Sequence, residues 1–97
     1  MVQKNMADIV LENNPIIVDI RSAYSYSLGH IRGAINVPYY NLLNNYSHYL
    51  SKYNRYYLYC DIGDQSLEIA ERLRNFGYDT YSIKGGYQDY LRNIQGR

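Results

Sequence analysis

The segment 56-YYLYCDIGDQS-66 joins a short apolar run to a tight loop and the beginning of a helix. Residues 56–60 have the length and the aromatic content of a buried strand. Cys60, the only cysteine in the protein, lies where this strand ends. Reactive groups in open α/β sheets lie beyond the carboxyl ends of the strands, and the N–H groups that begin a helix attract anions. We therefore predict that Cys60 is a nucleophilic thiol; the alternative is a small buried apolar side chain at a strand end.

The composition is that of one globular domain spanning residues 1–97. Apolar residues make up 46% of the chain and charged residues 20%, which argues against a disordered protein. The chain contains 14 tyrosines but one phenylalanine, so tyrosine must supply much of the buried mass. We expect each buried tyrosine hydroxyl to face a hydrogen-bond partner or water.

The charge pattern disfavours two classes of partner. The net charge is +1 and no basic run covers a face, which argues against nucleic acid and anionic membranes. No segment approaches the roughly 18 apolar residues of a membrane span. The first residues lack the apolar region of a signal peptide, and one cysteine cannot form an internal disulfide. We expect a cytoplasmic protein whose thiol stays reduced.

Three further runs have the composition and length of strands: residues 16–20, 34–37 and 80–83. Helical patterns lie before, between and after the strands. This alternation predicts an α/β fold in which helices cover both faces of a parallel sheet.

Apolar residues spaced three and four positions apart predict two main helices that pack on the sheet. The first begins after Pro38 and is either continuous or broken at Asn44-Asn45, and its stripe is predicted to be core. The second follows the loop and ends at Gly77. The predicted stripes are Tyr39, Leu42, Leu43, Tyr46, Tyr49, Leu50 and Tyr53 in the first helix, and Ile69, Ala70, Leu73 and Phe76 in the second.

Polar side chains are expected near Cys60, because the carboxyl ends of parallel strands meet at one edge of the sheet. Asp19 and Arg21 lie two residues apart in an extended run and should point to the same face. We interpret them as an ion pair that fixes the strand end, with a pocket wall as the alternative. His30 lies in a glycine-flanked turn, where a structural hydrogen-bonding role is more frequent than that of a general base.

Three segments resemble the single-domain rhodanese family. The first combines 17-IVDIR-21 with 29-GHIRGAINVP-38, and its long spaced pattern makes it the most specific. The second, 59-YCDIGDQS-66, is similar to a six-residue active-site loop that starts at the cysteine. The third, residues 77–90, resembles the closing segment, with tyrosine where tryptophan is frequent. The resemblance as a whole extends over nearly the whole chain.

The resemblance implies a three-layer α/β/α fold around a mostly parallel sheet of four to five strands, with only residues 1–2 left for the first strand. It also implies that Cys60 accepts a sulfane sulfur from a small donor as a persulfide and passes it to a thiol or protein acceptor. The N–H groups of the loop would cradle the additional sulfur, which agrees with a nest leading into a helix N-terminus. The loop consists of Asp61, Ile62, Gly63, Asp64, Gln65 and Ser66.

The loop departs from the family pattern in its charge. Family members that use thiosulfate usually carry arginine at the position of Gln65, and often a basic residue at that of Asp61. Asp64 adds a second carboxylate, so the loop has two negative charges and no cation. Electrostatic steering then disfavours a dianion, and we predict weak activity with thiosulfate.

Other functions fit the sequence less well. A cysteine phosphatase needs an arginine six residues after the cysteine to grip phosphate, and Ser66 occupies that position. One cysteine and two histidines lie at no zinc spacing, and no glycine-rich phosphate motif is present, so neither a metal nor another cofactor is expected. A weakly catalytic or non-catalytic module that docks a protein partner remains the alternative. The docking surface of such a module would be formed by tyrosines around the crevice at the carboxyl edge of the sheet, namely Tyr24, Tyr26, Tyr39, Tyr40 and Tyr87.

Overall fold

Strands alternate with helices along the chain in the computed structural model, which describes residues 2–95. The elements in chain order are β1 Gln3–Lys4, α1 Met6–Ile9, β2 Ile16–Asp19, α2 Ala23–Leu28, β3 Ile35–Asn36, α3 Tyr39–Asn44, α4 Tyr46–Tyr49, β4 Arg55–Tyr59, α5 Asp64–Asn75, β5 Asp79–Ile83 and α6 Gly86–Gln95. Of the two alternatives for the helix after Pro38, the structure has the broken one, because α3 and α4 are separate helices.

The sheet has five strands in the order β1-β5-β4-β2-β3, and every neighbouring pair is parallel. The predicted parallel α/β fold is confirmed. In the centre, Val18 of β2 lies opposite Leu58 of β4, and Asp19 lies opposite Tyr59. The carboxyl ends of these two strands are therefore level, which brings the residues after Asp19 close to Cys60.

The expectation for the first strand was wrong. β1 is formed by Gln3–Lys4, not by residues 1–2, and it pairs with Ser82 and Ile83 of β5. The Val2 carbonyl still accepts a hydrogen bond from the Ser82 N–H, whereas Met1 lies outside the described residues. Two residues suffice for this strand because it covers only the carboxyl half of β5.

Alternating side chains of β4 contribute to two hydrophobic layers. Tyr56, Leu58 and Cys60 face the layer that α3 and α5 cover, with Leu42, Ile69 and Leu73 in its centre. Tyr57 and Tyr59 face the opposite layer, which contains Ile9 of α1 and residues of α6. A period of two along the strand thus produces the predicted three layers, and it assigns Cys60 to the α5 side.

Three of the buried tyrosines have hydrogen-bond partners for their hydroxyl groups, as expected for a core that contains so much tyrosine. The Tyr56 hydroxyl accepts a hydrogen bond from the Ser51 N–H at 2.7 Å. The Tyr57 hydroxyl donates to Glu12 at 2.5 Å, and the Tyr59 hydroxyl donates to Asp19 at 2.6 Å. No buried side-chain oxygen or nitrogen in the described part of the chain lacks a partner. Tyrosine can therefore replace phenylalanine in this core without an unsatisfied hydroxyl.

Three predicted core residues are exposed. Tyr53 is 98% exposed, Tyr49 is 39% exposed and Phe76 is 46% exposed. The helical stripe ends early because α4 stops at Tyr49, which leaves Tyr53 in a turn. Phe76 follows the last residue of α5 and stacks on Tyr46 at the surface, with ring centroids 5.1 Å apart. Within residues 2–95, no helix has the length and apolar character needed to cross a membrane.

Candidate active site

Backbone contacts hold the loop after β4 in place. Gly63 precedes α5 with φ = 99°, a left-handed conformation that glycine adopts at little cost. The N-terminus of α6 packs beneath the loop, where the N–H groups of Tyr87 and Gln88 donate to the carbonyls of Cys60 and Asp61 at 2.9 Å. A β-carbon on Gly86 would lie 2.5 Å from the Cys60 carbonyl oxygen. The glycine pair at 85–86 therefore permits a close backbone approach under the cysteine.

The thiol of Cys60 lies at the centre of this loop. Cys60 is 3% exposed, and its Sγ accepts hydrogen bonds from the Gly63 N–H at 3.2 Å and the Ser66 N–H at 3.3 Å. The first N–H groups of a helix have no partner within the helix, and Gly63 has no side chain to cap them. Sγ supplies that cap for α5. Two convergent N–H groups favour negative charge on the sulfur.

Two side-chain oxygens complete the surroundings of Sγ. Asp64 Oδ1 lies 3.6 Å and Ser66 Oγ lies 3.4 Å from the sulfur, and either oxygen can accept the thiol hydrogen. Ser66 Oγ also lies 2.6 Å from Ser82 Oγ of β5. Sequence reasoning missed Ser82, because its contact with Ser66 arises only when β5 packs beside α5.

Asp19 and Arg21 form the predicted ion pair at the end of β2. Arg21 Nη2 lies 2.7 Å from Asp19 Oδ2, and Arg21 Nε lies 3.1 Å from both carboxylate oxygens. Arg21 Nη2 also donates to the Gly29 carbonyl at 2.7 Å. Burial alone would lower the pKa of Arg21, but the hydrogen bond and charge of Asp19 outweigh burial and raise it. The guanidinium therefore remains charged.

The same guanidinium faces the cysteine loop. Its plane lies over the Tyr87 ring, 4.1 Å from the centroid, and Nη1 lies 3.7 Å from Asp61 Oδ1. The Asp61 side chain is 61% exposed, so this contact is weak compared with the buried pair. The residues after β2 thus place the buried Arg21 cation next to the exposed Asp61 carboxylate of the loop.

Tyr59 is a second residue that sequence reasoning missed as part of the site. Its hydroxyl accepts a hydrogen bond from the Ile31 N–H at 3.0 Å and donates to Asp19. Burial, followed by the hydrogen bond to Asp19, raises the pKa of Tyr59. The neutral hydroxyl thus connects β4 to the buried ion pair and to the loop that contains His30.

His30 has the contacts of a structural residue. It is exposed, its Nδ1 lies 2.8 Å from the Tyr26 carbonyl oxygen, and its ring stacks on Tyr26 with centroids 3.7 Å apart. In the described part of the chain, its hydrogen bonding is to α2 and not to the cysteine loop. These contacts support the structural interpretation over that of a general base.

A groove of about 360 Å³ lies beside the loop. Its lining includes Arg21, Tyr39, Tyr40, Asp61 and Gln65. A volume in this range is typical of sites for small organic ligands.

The tyrosines predicted to form a docking surface differ in exposure: Tyr24 and Tyr40 are largely exposed, whereas the Tyr26 hydroxyl donates a hydrogen bond to the Ala34 carbonyl.

The residues of the cysteine loop also differ in solvent exposure. Ile62 is 62% exposed, whereas Gly63 and Ser66 are buried. No group of three or more histidine, cysteine, aspartate or glutamate side chains in residues 2–95 has the arrangement of a metal site. The groups that the structure brings together at this edge are a buried thiol and two fixed N–H donors.

Comparison with known proteins identifies the family. A tRNA uridine(34) hydroxylase from Buchnera aphidicola is 28% identical over 98 residues, and a tRNA sulfurtransferase from Desulfurococcus amylolyticus is 31% identical over 85 residues. The matches cover 95% and 88% of this chain but only 31% and 17% of those proteins. A crystal structure of a rhodanese-related protein from Thermoplasma volcanium is similar with a TM-score of 0.87 and 23% identity, covering 96% of this chain and 93% of that one.

The family model described as rhodanese-like domain matches residues 2–93. Fold, loop position and sequence agree with that match across nearly the whole chain. The protein belongs to the rhodanese-like domain family.

Proposed function

We propose that this protein is a sulfurtransferase in which Cys60 carries a sulfane sulfur as a persulfide and passes it to a thiol or other nucleophile. Family membership and relatives named sulfurtransferases support sulfur transfer as the general activity. The observation that carries the specific proposal is the convergence of the Gly63 and Ser66 N–H groups on Sγ. Fixed donors of this kind stabilise the charge that develops on sulfur during transfer.

The proposed reaction has two halves that balance. In the first, the Cys60 thiolate attacks the outer sulfur of the donor, an S–S bond forms at Sγ, and the remainder of the donor leaves as a thiolate or, from thiosulfate, as sulfite. In the second, an acceptor thiolate attacks the outer sulfur of the persulfide, and Cys60 leaves as a thiolate. The two electrons of each broken S–S bond go to the leaving sulfur, so no external oxidant or reductant is needed.

The charge distribution supports an organic persulfide as the better donor. Asp61 and Asp64 place two carboxylates in the loop, and the positive charge of Arg21 is largely balanced by Asp19. The adjoining groove is lined mainly by tyrosines and neutral polar groups, with Arg21 and Asp61 as its charged residues, and it has room for an organic substituent. A thiosulfate dianion would gain little electrostatic attraction here, so we propose that thiosulfate activity is weak.

Intact-protein mass spectrometry tests the proposal. The wild type should gain the mass of one sulfur atom after exposure to a persulfide or polysulfide donor, and dithiothreitol should reverse the gain. Cys60→Ser should show no such adduct. The same donors, with thiosulfate added to the panel, should give the highest kcat/KM for the organic persulfide. If no reversible adduct forms with any donor, the persulfide proposal is wrong.

A protein-docking module with little catalysis is the second candidate. Tyr24, Tyr40 and Ile62 are exposed near the edge that contains Cys60, and such side chains suit recognition of a partner. The chain also corresponds to less than a third of the two curated relatives described above, in which the matched domain accompanies further sequence. Partner binding that is equally strong for wild type and Cys60→Ser, together with no sulfur transfer, would favour docking.

A further inference from the structure

We propose that Ser82 is a positioning residue that acts on Cys60 through the hydroxyl of Ser66. In this arrangement the Ser82 hydroxyl donates to Ser66 Oγ, and the Ser66 hydroxyl is thereby directed to Sγ. The inference deepens the proposed sulfur transfer and rests on it for the kinetic readout alone. Thiol alkylation tests it without any transfer of sulfur.

The three atoms form a short buried chain. Ser82 Oγ lies 2.6 Å from Ser66 Oγ, which lies 3.4 Å from Cys60 Sγ. Ser66 and Ser82 are 0% exposed and Cys60 is 3% exposed. Hydrogen bonds between buried groups are stronger than those in water, because the local dielectric constant is low.

Hydrogen-bond accounting determines the direction of donation. Among the described residues, the Ser82 hydroxyl has Ser66 Oγ as its hydrogen-bond partner. If Ser66 donated to Ser82, the Ser82 hydrogen would be buried without an acceptor, which is unfavourable. If Ser82 donates, the Ser66 hydrogen is available for Sγ at 3.4 Å, and the Gly63 carbonyl oxygen, also at 3.4 Å, is its competitor. This second arrangement leaves no hydroxyl unsatisfied.

The hydrogen bonds from Ser82 to Ser66 and from Ser66 to Sγ favour the thiolate form of Cys60 in both halves of the reaction. Sγ is the attacking thiolate in the first half and the leaving thiolate in the second, and it then receives the Ser66 hydroxyl hydrogen as well as the two N–H groups. The charged groups around the cysteine loop are Asp64 on α5, whose Oδ1 lies 3.6 Å from Sγ, Asp61 in the loop, and Arg21 at the end of β2, which faces Asp61. The Ser66 hydroxyl, oriented by Ser82 of β5, is a neutral donor that offsets part of the repulsion from the two carboxylates.

The pH dependence of alkylation by iodoacetamide tests the role of Ser82. Ser82→Ala should shift the midpoint of the rate profile to higher pH by about half a unit to one unit. The rate at neutral pH should fall about 3- to 10-fold, and kcat/KM for a persulfide donor should fall by a similar factor. Ser82→Thr keeps the hydroxyl and should restore both values.

Thr80→Val is the matched control. Thr80 is also buried on β5 and donates its hydroxyl hydrogen to the Ala70 carbonyl of α5 at 2.8 Å, so it links the same two elements. Thr80→Val should lower stability to urea without moving the alkylation midpoint. An equal shift in Thr80→Val and Ser82→Ala would show that general loosening, rather than the hydroxyl chain, is the cause and would overturn the proposal.

A double-mutant cycle provides a second test. If Ser82 acts through Ser66, Ser66→Ala alone and the double variant Ser66→Ala with Ser82→Ala should have the same alkylation midpoint. Additive shifts would contradict the proposed chain. If wild type shows the alkylation behaviour described but never forms a persulfide, the sulfur-transfer proposal fails and the role of Ser82 at the thiol stands.

Discussion

Asp64→Asn is the substitution that most directly measures the effect of the acidic loop. Asp64 Oδ1 lies 3.6 Å from Cys60 Sγ. The carboxylate can accept a hydrogen bond from the neutral thiol, but its negative charge repels the thiolate. Asparagine has the same shape, lacks the charge, and can donate a hydrogen bond to the sulfur. We therefore expect the substitution to make Cys60 more reactive.

The magnitude follows from Coulomb's law. Two unit charges 3.6 Å apart repel by about 1 kcal/mol at the dielectric constant of water, the appropriate value because Asp64 is exposed. Because Cys60 is buried, the effective dielectric constant at Sγ is lower than that of water, so this repulsion energy is a lower bound. An energy of about 1 kcal/mol corresponds to roughly a fivefold gain in thiolate, and hence in alkylation rate, near neutral pH. The gain in kcat/KM with thiosulfate should be larger still, since the carboxylate also repels the dianion.

The assay is iodoacetamide alkylation of wild type and Asp64→Asn over a range of pH and salt concentration. Glu71→Gln is the control: it removes one exposed carboxylate from the same helix, seven residues or about 10 Å farther along its axis. That distance is close to a Debye length at about 0.1 M salt, so the control should react at the wild-type rate. A slower reaction of Asp64→Asn than of wild type would refute the reasoning, because it would mean that Asp64 assists the thiol as a proton acceptor.

Two further substitutions test the charge and the framework of the site. Asp61→Arg combined with Gln65→Arg places two cations in the loop and should raise the second-order rate with thiosulfate by tenfold or more at low salt, in steady-state assays; an unchanged rate would contradict the charge argument. Tyr59→Phe leaves the Ile31 N–H without its acceptor and removes a hydrogen-bond donor from Asp19. The free energy of unfolding, measured with urea, should therefore fall by about 3 kcal/mol. The pKa of Tyr59 is raised in the folded state, so the neutral hydroxyl should contribute its full share to the free energy of unfolding below about pH 10. As the pH rises further, the difference in the free energy of unfolding between wild type and variant should become smaller.

The contiguous part of the site could be predicted from sequence. Cys60, Gly63 and Ser66 lie within seven residues of chain, and a strand, a glycine and a helix start bring their backbone atoms together almost irrespective of the remainder of the fold. The ion pair of Asp19 with Arg21 was predictable for the same reason, because a strand places alternate side chains on one face. The carboxylates of the loop were equally visible as a departure from the family pattern.

The errors in the helical stripes have a physical cause. Periodicity predicts which face of a helix is apolar, but it does not predict where the helix ends. Tyr53 has the correct spacing, yet α4 ends four residues before it, and Phe76 lies just after α5. Both rings are at the surface.

The sequence by itself determined the alternation of strands and helices, the position of the thiol at the start of a helix, and the negative charge of the loop. These features depend on residues close together in the chain. Only the tertiary structure decided that Ser82 meets Ser66, that Tyr59 joins Asp19 to the Ile31 backbone, and that the Arg21 guanidinium lies over Tyr87. The partners in these contacts are 16, 40, 28 and 66 residues apart in the sequence. Such contacts depend on strand order and register, which arise from packing of the whole chain.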